Sequence, residues 1–168
     1  MDVLALQETW ISENGSDDFY IKSLNVPGYD LFNVPRSGGD AHGGIAILYR
    51  KNMTVVSKTI NRNISSFESC EIVFSMGPKC LTLFVVYRPH PSRLFFEEFA
   101  EVVQDLAMAK GDLLVVGDLN VHVDVSEDPE TRQLVDTSLL ALSNMLLDRL
   151  TIVFTHWMLP YHAKQIRL

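Results

Sequence analysis

Short apolar runs bounded by turn residues recur along the chain and predict a series of β-strands. The first run starts almost at the first residue, and the last, LTIVF, lies near the end of the chain. The predicted strands cover residues 2–6, 29–34, 45–52, 54–60, 67–76, 80–87, 113–116 and 150–154. Turns such as Pro27-Gly28-Tyr29 separate them, and the final stretch THWMLPYHAKQIRL has no clear period.

Amphipathic segments between these runs predict helices. Residues 92–110 place one group of apolar side chains on one face and Glu97, Glu98 and Gln104 on the other, before Gly111 ends the helix. The apolar face consists of Leu94, Phe95, Phe99, Val102, Val103 and Leu106. Asp17 or Asp18 caps a shorter helix that reaches residue 24. Asp128-Pro129 opens a third, which reaches about residue 147.

The strand at 80–87 is apolar on both faces. Leu81, Leu83 and Val85 alternate with Phe84 and Val86, and a strand of this kind is covered on both sides. Together with the amphipathic helices, this pattern predicts an α/β fold of two packed sheets with helices outside.

Composition and charge narrow the class of protein. With 168 residues, 47% of them hydrophobic, the chain suits a single globular domain over residues 1–168. The net charge of −7 excludes a strongly basic nucleic-acid-binding protein. An acidic enzyme still acts on a phosphodiester when a divalent cation bridges the two negative partners.

The cysteines and the first residues indicate an intracellular protein. A hairpin turn at Gly77-Pro78 places Ser75, not Cys70, opposite Cys80, so the two thiols are too far apart to form a disulfide. The first ten residues lack the basic start of a secretory signal, and no apolar run is long enough to span a membrane. An intracellular protein of this kind is compatible with a nuclear location. The sequence indicates no protein partner.

Three predicted strands end in polar residues: Glu8 after DVLAL, Tyr87 and Arg88 after LTLFVV, and Asp118 and Asn120 after LLVV. Taken singly, each has a structural explanation. GDLN is typical of a turn in which Asp and Asn bond their own backbone, Glu8 suits a solvated cap, and Tyr87 suits a core residue with its hydroxyl at the rim. Ligands, however, gather where strands of layered α/β proteins end, so a shared site is the alternative.

The glycine-rich loop RSGGDAHGG, residues 36–44, lacks the spacing of a phosphate-binding loop and favours a bend between strands.

In order along the chain, the motifs LALQETW, GGIAILYRK, VVYRPH and LLVVGDLNVH resemble the endonuclease/exonuclease/phosphatase superfamily. The amino-acid sequences of these motifs are most similar to those of the endonuclease domain of LINE-type non-LTR retrotransposons. The resemblance covers about residues 2–136. It implies a four-layer α/β/β/α, deoxyribonuclease I-like sandwich. It also implies a Mg²⁺-dependent phosphodiesterase that nicks DNA.

By this resemblance Glu8 is the ligand of Mg²⁺, with Mn²⁺ as the alternative ion. Asp118 orients or deprotonates the attacking water, Asn120 donates its amide to the scissile phosphate, and Tyr87 contacts the phosphate. These roles fit the chemistry, because phosphodiester hydrolysis needs charge neutralisation, an activated water and hydrogen-bond donors.

The chain also departs from the family pattern. It has neither the first, Asn-bearing strand nor the closing Ser-Asp-His, and residues 137–168 diverge. His156 matches a Thr-His that precedes those closing elements, and His162 lies in a segment that does not match. His122 and His42 are interpreted as residues of the rim. We therefore expect a fold incomplete at both ends, impaired activity, and weak DNA affinity with a shallow salt dependence.

Three alternatives to this enzyme stay open on the sequence. One is a non-catalytic remnant or binding module of the same fold. Another is a phosphatase of the same superfamily that acts on a small phosphoester. The last is an unrelated α/β binding domain with coincidental motifs.

Overall fold

The computed structural model describes residues 1–12, 18–35, 43–60, 63–121, 129–143, 150–154 and 164–166. These ranges contain two β-sheets and three helices. None of the described helices has the length and apolar character needed to cross a membrane.

The smaller sheet consists of β1 (Val3–Gln7), β2 (Tyr29–Val34) and β3 (Ile45–Arg50). Its strands are antiparallel in the order β1-β3-β2. The central strand β3 is buried along its length except at its last residue, which agrees with its nearly continuous apolar sequence.

The larger sheet runs in the order β4-β5-β6-β7-β8-β9. Its strands are β4 (Thr54–Ile60), β5 (Glu68–Met76), β6 (Lys79–Tyr87), β7 (Asp112–Asp118), β8 (Leu150–Phe154) and β9 (Lys164–Ile166). The pairs β4-β5, β5-β6 and β8-β9 are antiparallel, whereas β6-β7 and β7-β8 are parallel. In the β5-β6 hairpin Ser75 lies opposite Cys80, as predicted, and both cysteines are free thiols.

The helices are α1 (Asp18–Ser23), α2 (Phe95–Met108) and α3 (Pro129–Ser143). Helix α2 begins three residues later than predicted, because a turn precedes it in which the Leu94 N–H donates to Ser92 Oγ at 3.3 Å. The placement of Leu94 on the apolar face is therefore wrong, since this side chain is 51% exposed. The residues of α2 that are buried are Phe95, Phe96, Phe99, Val103 and Ala107.

Two hydrophobic cores cover the two faces of β6. Leu83 and Val85 pack toward the smaller sheet with Ile47 and Ile72. The alternate side chains pack on the other side of the sheet against α2 and α3, in a cluster that contains Phe84, Val86, Phe95, Phe99, Val115 and Leu134. The prediction that β6 is covered on both faces is confirmed, and so is the α/β fold of two packed sheets with flanking helices.

Strand β3 ends at Arg50, two residues before its predicted end, because a turn follows in which the Met53 N–H donates to the Arg50 carbonyl at 2.9 Å. Strands β7 and β9 also differ from the sequence-based expectation. Strand β7 continues two residues past 116 and includes Asp118, because it pairs with β6 up to Tyr87. Strand β9 lies in the stretch for which no period was visible, and antiparallel pairing with β8 supplies its backbone partners. Several residues named from the sequence lie outside the described residues. They are four histidines, two predicted helix caps and part of the glycine-rich loop: His42, His122, His156, His162, Asp17, Asp128 and residues 36–42.

The two thiols differ enough in burial to be distinguished by alkylation. Burial, with a smaller contribution from the negative charge of Glu71, raises the pKa of Cys70 from 9.0 to about 12. We expect Ellman's reagent to modify the half-buried Cys80 in the native protein and Cys70 only on unfolding. Thiol release counted in native protein and in denaturant, with Cys80→Ala as control, checks this. Native reaction of Cys70 would contradict it.

The same thiol makes stability depend on pH in the alkaline range. Because the folded pKa of Cys70 lies above the unfolded value, its contribution is present below pH 9 and is lost as the pH rises toward about 12. Urea unfolding of the wild type and of Cys70→Ala across this range should show a steeper alkaline loss of stability in the wild type.

Candidate active site at the strand ends

Three polar side chains lie side by side where β5, β6 and β7 meet at one end of the larger sheet. Glu68 pairs with Tyr87, and Tyr87 pairs with Asp118. Alternation along each strand turns this row toward the smaller sheet, on the same face as Cys70 and Val85. Tyr87 and Asp118 are almost fully buried, at 5% and 3% exposed, so the row is a polar end to an apolar layer.

Glu8 reaches this row from the opposite sheet. It follows β1 and its carboxylate accepts a hydrogen bond from the Tyr87 hydroxyl. The φ angle of Glu8 is 53°, which lies in the left-handed region that residues other than glycine rarely adopt. The structure therefore brings together two of the predicted site residues, Glu8 and Tyr87, across the interface between the sheets.

The turn that carries Glu8 is held by the two glycines that precede β3. The Trp10 N–H donates to the Gly43 carbonyl at 2.8 Å, and the Thr9 N–H donates to the Gly44 carbonyl at 3.3 Å. Both glycines have positive φ values, 102° and 88°, which side chains would disfavour. The Gly-Gly of GGIAILYRK thus supports the Glu8 turn, whereas most of the bend predicted over residues 36–44 lies outside the described residues.

The surroundings of Tyr87 hold its hydroxyl in the protonated form. Burial is the largest cause that raises its pKa above the usual value, followed by the hydrogen bond to Glu8 and the negative charges of Glu8, Glu68 and Asp118. A neutral tyrosine hydroxyl is a hydrogen-bond donor. In this site Tyr87 can therefore donate toward a negatively charged partner.

Asp118 and Asn120 form the turn that their sequence suggests, and Asp118, which lies beside Tyr87, connects this turn to the site. The Asn120 N–H donates to Asp118 Oδ1 at 2.9 Å, which is the local bond expected of such a turn. Asn120 has a φ of 49° and an exposed side chain, and its Nδ2 donates to the Arg88 carbonyl at 2.7 Å. The structural explanation is thus correct and is compatible with the functional one, because the Asn120 amide has a second hydrogen that is not on the Arg88 carbonyl.

Sequence reasoning missed one acidic member of the row, Glu68. Its Oε2 accepts the Gly44 N–H at 2.8 Å, so it ties the larger sheet to the glycines that support Glu8. The signal was available, since the register that places Ser75 opposite Cys80 also places Glu68 opposite Tyr87.

The oxygen ligands of the site fit a hard, hydrated cation. Mg²⁺ commonly binds through one or two carboxylates and keeps several waters. Glu8 is an exposed carboxylate, and its partner Tyr87 also lies beside Asp118. Within the described ranges no three His, Cys, Asp or Glu side chains are grouped so as to enclose a metal, so an ion here would be held mainly by Glu8 and water.

Comparison with known proteins gives a consistent picture. Residues 1–161 match the family model of the Endonuclease/Exonuclease/phosphatase family. No curated protein sequence matches the chain.

Similar solved structures include the human Nocturnin catalytic domain with bound sulfate anion (TM-score 0.54, 16% identity, covering 73% of this chain and 52% of that one). D. rerio TDP2 complexed with single strand DNA product has a TM-score of 0.56 at 16% identity, covering 82% and 52%. ANGEL2, a 2',3'-cyclic phosphatase, in complex with adenosine-2',3'-vanadate, has a TM-score of 0.55 at 17% identity, covering 80% and 43%. At these identities the likeness shows the fold, and the chain spans about half the length of each.

The bond between Glu68 and Gly44 can be tested by hydrogen exchange. We expect Glu68→Ala to speed exchange of the Gly44 amide by roughly tenfold to a hundredfold, since a hydrogen bond to a charged group contributes about 1.5–3 kcal/mol. Glu68→Gln, which keeps an oxygen acceptor, should retain much of the protection. NMR exchange rates measure this, with Glu71→Ala on the same strand as the control. Unchanged Gly44 exchange in Glu68→Ala would show that the bond does not hold the Gly44 backbone.

Proposed function

Because the chain belongs to the endonuclease/exonuclease/phosphatase family, we propose that it is a Mg²⁺-dependent phosphodiesterase that nicks DNA. We further propose that it is related to the endonuclease domains of LINE-type retrotransposons. This is supported by the amino-acid sequences of the motifs that carry Glu8, Tyr87 and Asp118. The observation that carries the proposal is the meeting of these three residues, distant in sequence, at one end of the sandwich.

In this proposal the residues of the site divide the work of hydrolysis. Glu8 holds Mg²⁺, which when bound neutralises phosphate charge. Asp118 orients the attacking water or accepts its proton, and its burial favours a fixed geometry. Asn120 keeps one amide hydrogen on the Arg88 carbonyl and donates the other to the phosphate. Tyr87 has one hydroxyl hydrogen, which is donated to Glu8 in this structure; during the reaction it would turn that hydrogen to the charge that develops on the phosphate.

A nucleic-acid substrate is supported by two of the similar structures. TDP2 is complexed with a single strand DNA product, and ANGEL2 is bound to adenosine-2',3'-vanadate. The net charge of −7 makes the affinity for DNA low and dependent on the cation, because it opposes the phosphate backbone. The same proposal places the protein in the nucleus.

A second candidate is a non-catalytic remnant or binding module of the same fold. It is favoured by the hydrogen bonds that two of the proposed catalytic donors make within the protein, since the Tyr87 hydroxyl donates to Glu8 and Asn120 Nδ2 donates to the Arg88 carbonyl. We propose one domain over residues 1–168, with a divergent segment from residue 137. Part of that segment, β8, pairs with β7 in the larger sheet.

Nicking of supercoiled plasmid tests the enzymatic proposal. We expect relaxation with Mg²⁺ or Mn²⁺ and none with EDTA. Asp118→Asn should lower the rate by about a hundredfold or more, because it removes the group proposed to activate water, and Glu8→Gln should raise the Mg²⁺ concentration needed.

The matched control is Glu101→Gln, an exposed carboxylate of α2 remote from the strand ends. If the folded wild type leaves the plasmid intact, the remnant is supported instead. Release of phosphate from inositol phosphates without nicking of DNA would move the substrate to small phosphoesters.

Ion binding at Glu8 can be measured without any catalytic turnover. The chain has two tryptophans, and Trp10 lies two residues after Glu8 with its side chain 49% exposed. In a Trp157→Phe background we expect saturable quenching of Trp10 fluorescence by Mn²⁺, competed by Mg²⁺ and weakened at least severalfold by Glu8→Gln. Linear quenching unaffected by Glu8→Gln would exclude Glu8 as the ligand.

A further inference from the structure

A fully buried arginine lies directly behind the turn that carries Asp118 and Asn120. Arg88 is 0% exposed and contacts each residue of that turn. Its N–H donates to the Asp118 carbonyl at 2.9 Å, its Nη1 donates to the Leu119 carbonyl at 3.3 Å, and its carbonyl accepts the Asn120 side chain at 2.7 Å. Such a convergence on three successive residues fixes the turn from one side.

The guanidinium of Arg88 is itself held in one position. Its Nη1 donates to Glu130 Oε2 at 3.0 Å and its Nη2 to Glu130 Oε1 at 2.8 Å, a bidentate geometry that a lysine cannot reproduce. The guanidinium also contacts two aromatic rings. The ring centroids of Phe95 and Phe96 lie 4.6 Å and 5.7 Å from the guanidinium carbon. A charge between a carboxylate and aromatic faces has little freedom to move.

Stability alone does not account for this arrangement. Burying an ion pair incurs a desolvation penalty, and apolar residues of similar volume often serve as well or better in a core. The pair instead connects three elements: Arg88 follows β6, the 118–120 turn begins at the last residue of β7, and Glu130 lies in the first turn of α3. Its evident effect is to hold the turn in a fixed relation to the helices.

We propose that Arg88 and Glu130 are positioning residues for Asn120 and Asp118, an inference that rests on the function proposed above for those two side chains. Arg88 acts through its carbonyl on the Asn120 amide and through its guanidinium on the Leu119 carbonyl. Glu130 acts on Arg88 by fixing the orientation of the guanidinium. The assignment extends the site beyond the strand ends to the beginning of α3.

The test compares Glu130→Gln and Arg88→Lys with a matched arginine outside the site. Arg50 also pairs with a carboxylate, that of Asp2 at 2.9 Å, and also lies over an aromatic ring. Unlike Arg88 it is exposed, and it is the last residue of β3, whereas the glycines that support Glu8 precede the first residue of that strand. Arg50→Lys therefore repeats the chemical change away from the turn. The readout is the NMR signal pair of the Asn120 side-chain amide, assigned by its loss in Asn120→Ala.

In Glu130→Gln and Arg88→Lys we expect the Asn120 amide signals to shift and their hydrogen exchange to accelerate, with both unchanged in Arg50→Lys. If Arg88→Lys does not fold, Glu130→Gln decides, because its carboxylate is 39% exposed and an amide still accepts one N–H. A folded Glu130→Gln protein whose Asn120 signals match the wild type would overturn the proposal.

Kinetics add a second arm if the wild type nicks DNA. A displaced turn should lower kcat by about tenfold to a hundredfold with KM nearly unchanged, whereas a merely structural pair would change only the fraction of folded protein. An unchanged kcat per folded molecule would overturn the positioning role. Should the wild type not nick DNA, the Asn120 signals alone decide, so failure of the proposed function is separable from failure of this inference.

Discussion

The parallel pairing of β6 with β7 determines where every other part of the site lies. In this register Val86 faces Gly117 so closely that a Cβ on Gly117 would meet the Val86 carbonyl oxygen at 1.8 Å. The next pair along the two strands is Tyr87 and Asp118. A shift of β7 by one residue would turn Asp118 to the helical face of the sheet while Tyr87 kept its place, so the row of Glu68, Tyr87 and Asp118 depends on this register.

Around that pairing, the apolar layers and the polar strand ends complement each other. Phe84 and Val86 require cover on one face, and Leu83 and Val85 require it on the other, which brings the helices and the smaller sheet against β6. Docking of the smaller sheet then carries Glu8 to the Tyr87 hydroxyl. The contact that defines the candidate site is therefore a consequence of the hydrophobic packing between the sheets.

Much of this arrangement was predictable from local sequence. Strands β2 and β4 have the predicted bounds, and the residues Glu8, Tyr87 and Asp118 were visible as polar ends to apolar runs. Features decided by tertiary contacts were not. Leu94 fits the helical period yet is exposed, because the preceding turn ends at it, and β9 forms because β8 offers an edge.

Glu130 illustrates the same limit for the site itself. A glutamate in the first turn of a helix is common for reasons of capping and dipole, and nothing near it in sequence links it to Arg88, 42 residues away. Glu68 was accessible in principle, because the hairpin register alone places it beside Tyr87. The difference between the two residues is that one is placed by a local turn and the other by the packing of α3.

The hydrogen bond between Tyr87 and Glu8 joins residues 79 positions apart. Formation of this contact closes a long loop of the chain. The favourable free energy of such a contact is gained only when the chain has lost the conformational entropy of loop closure. The β5-β6 hairpin can form locally, whereas the assembled strand ends require both sheets to be docked. The candidate site is thus complete only when the two sheets are docked, so its integrity reports on that docking.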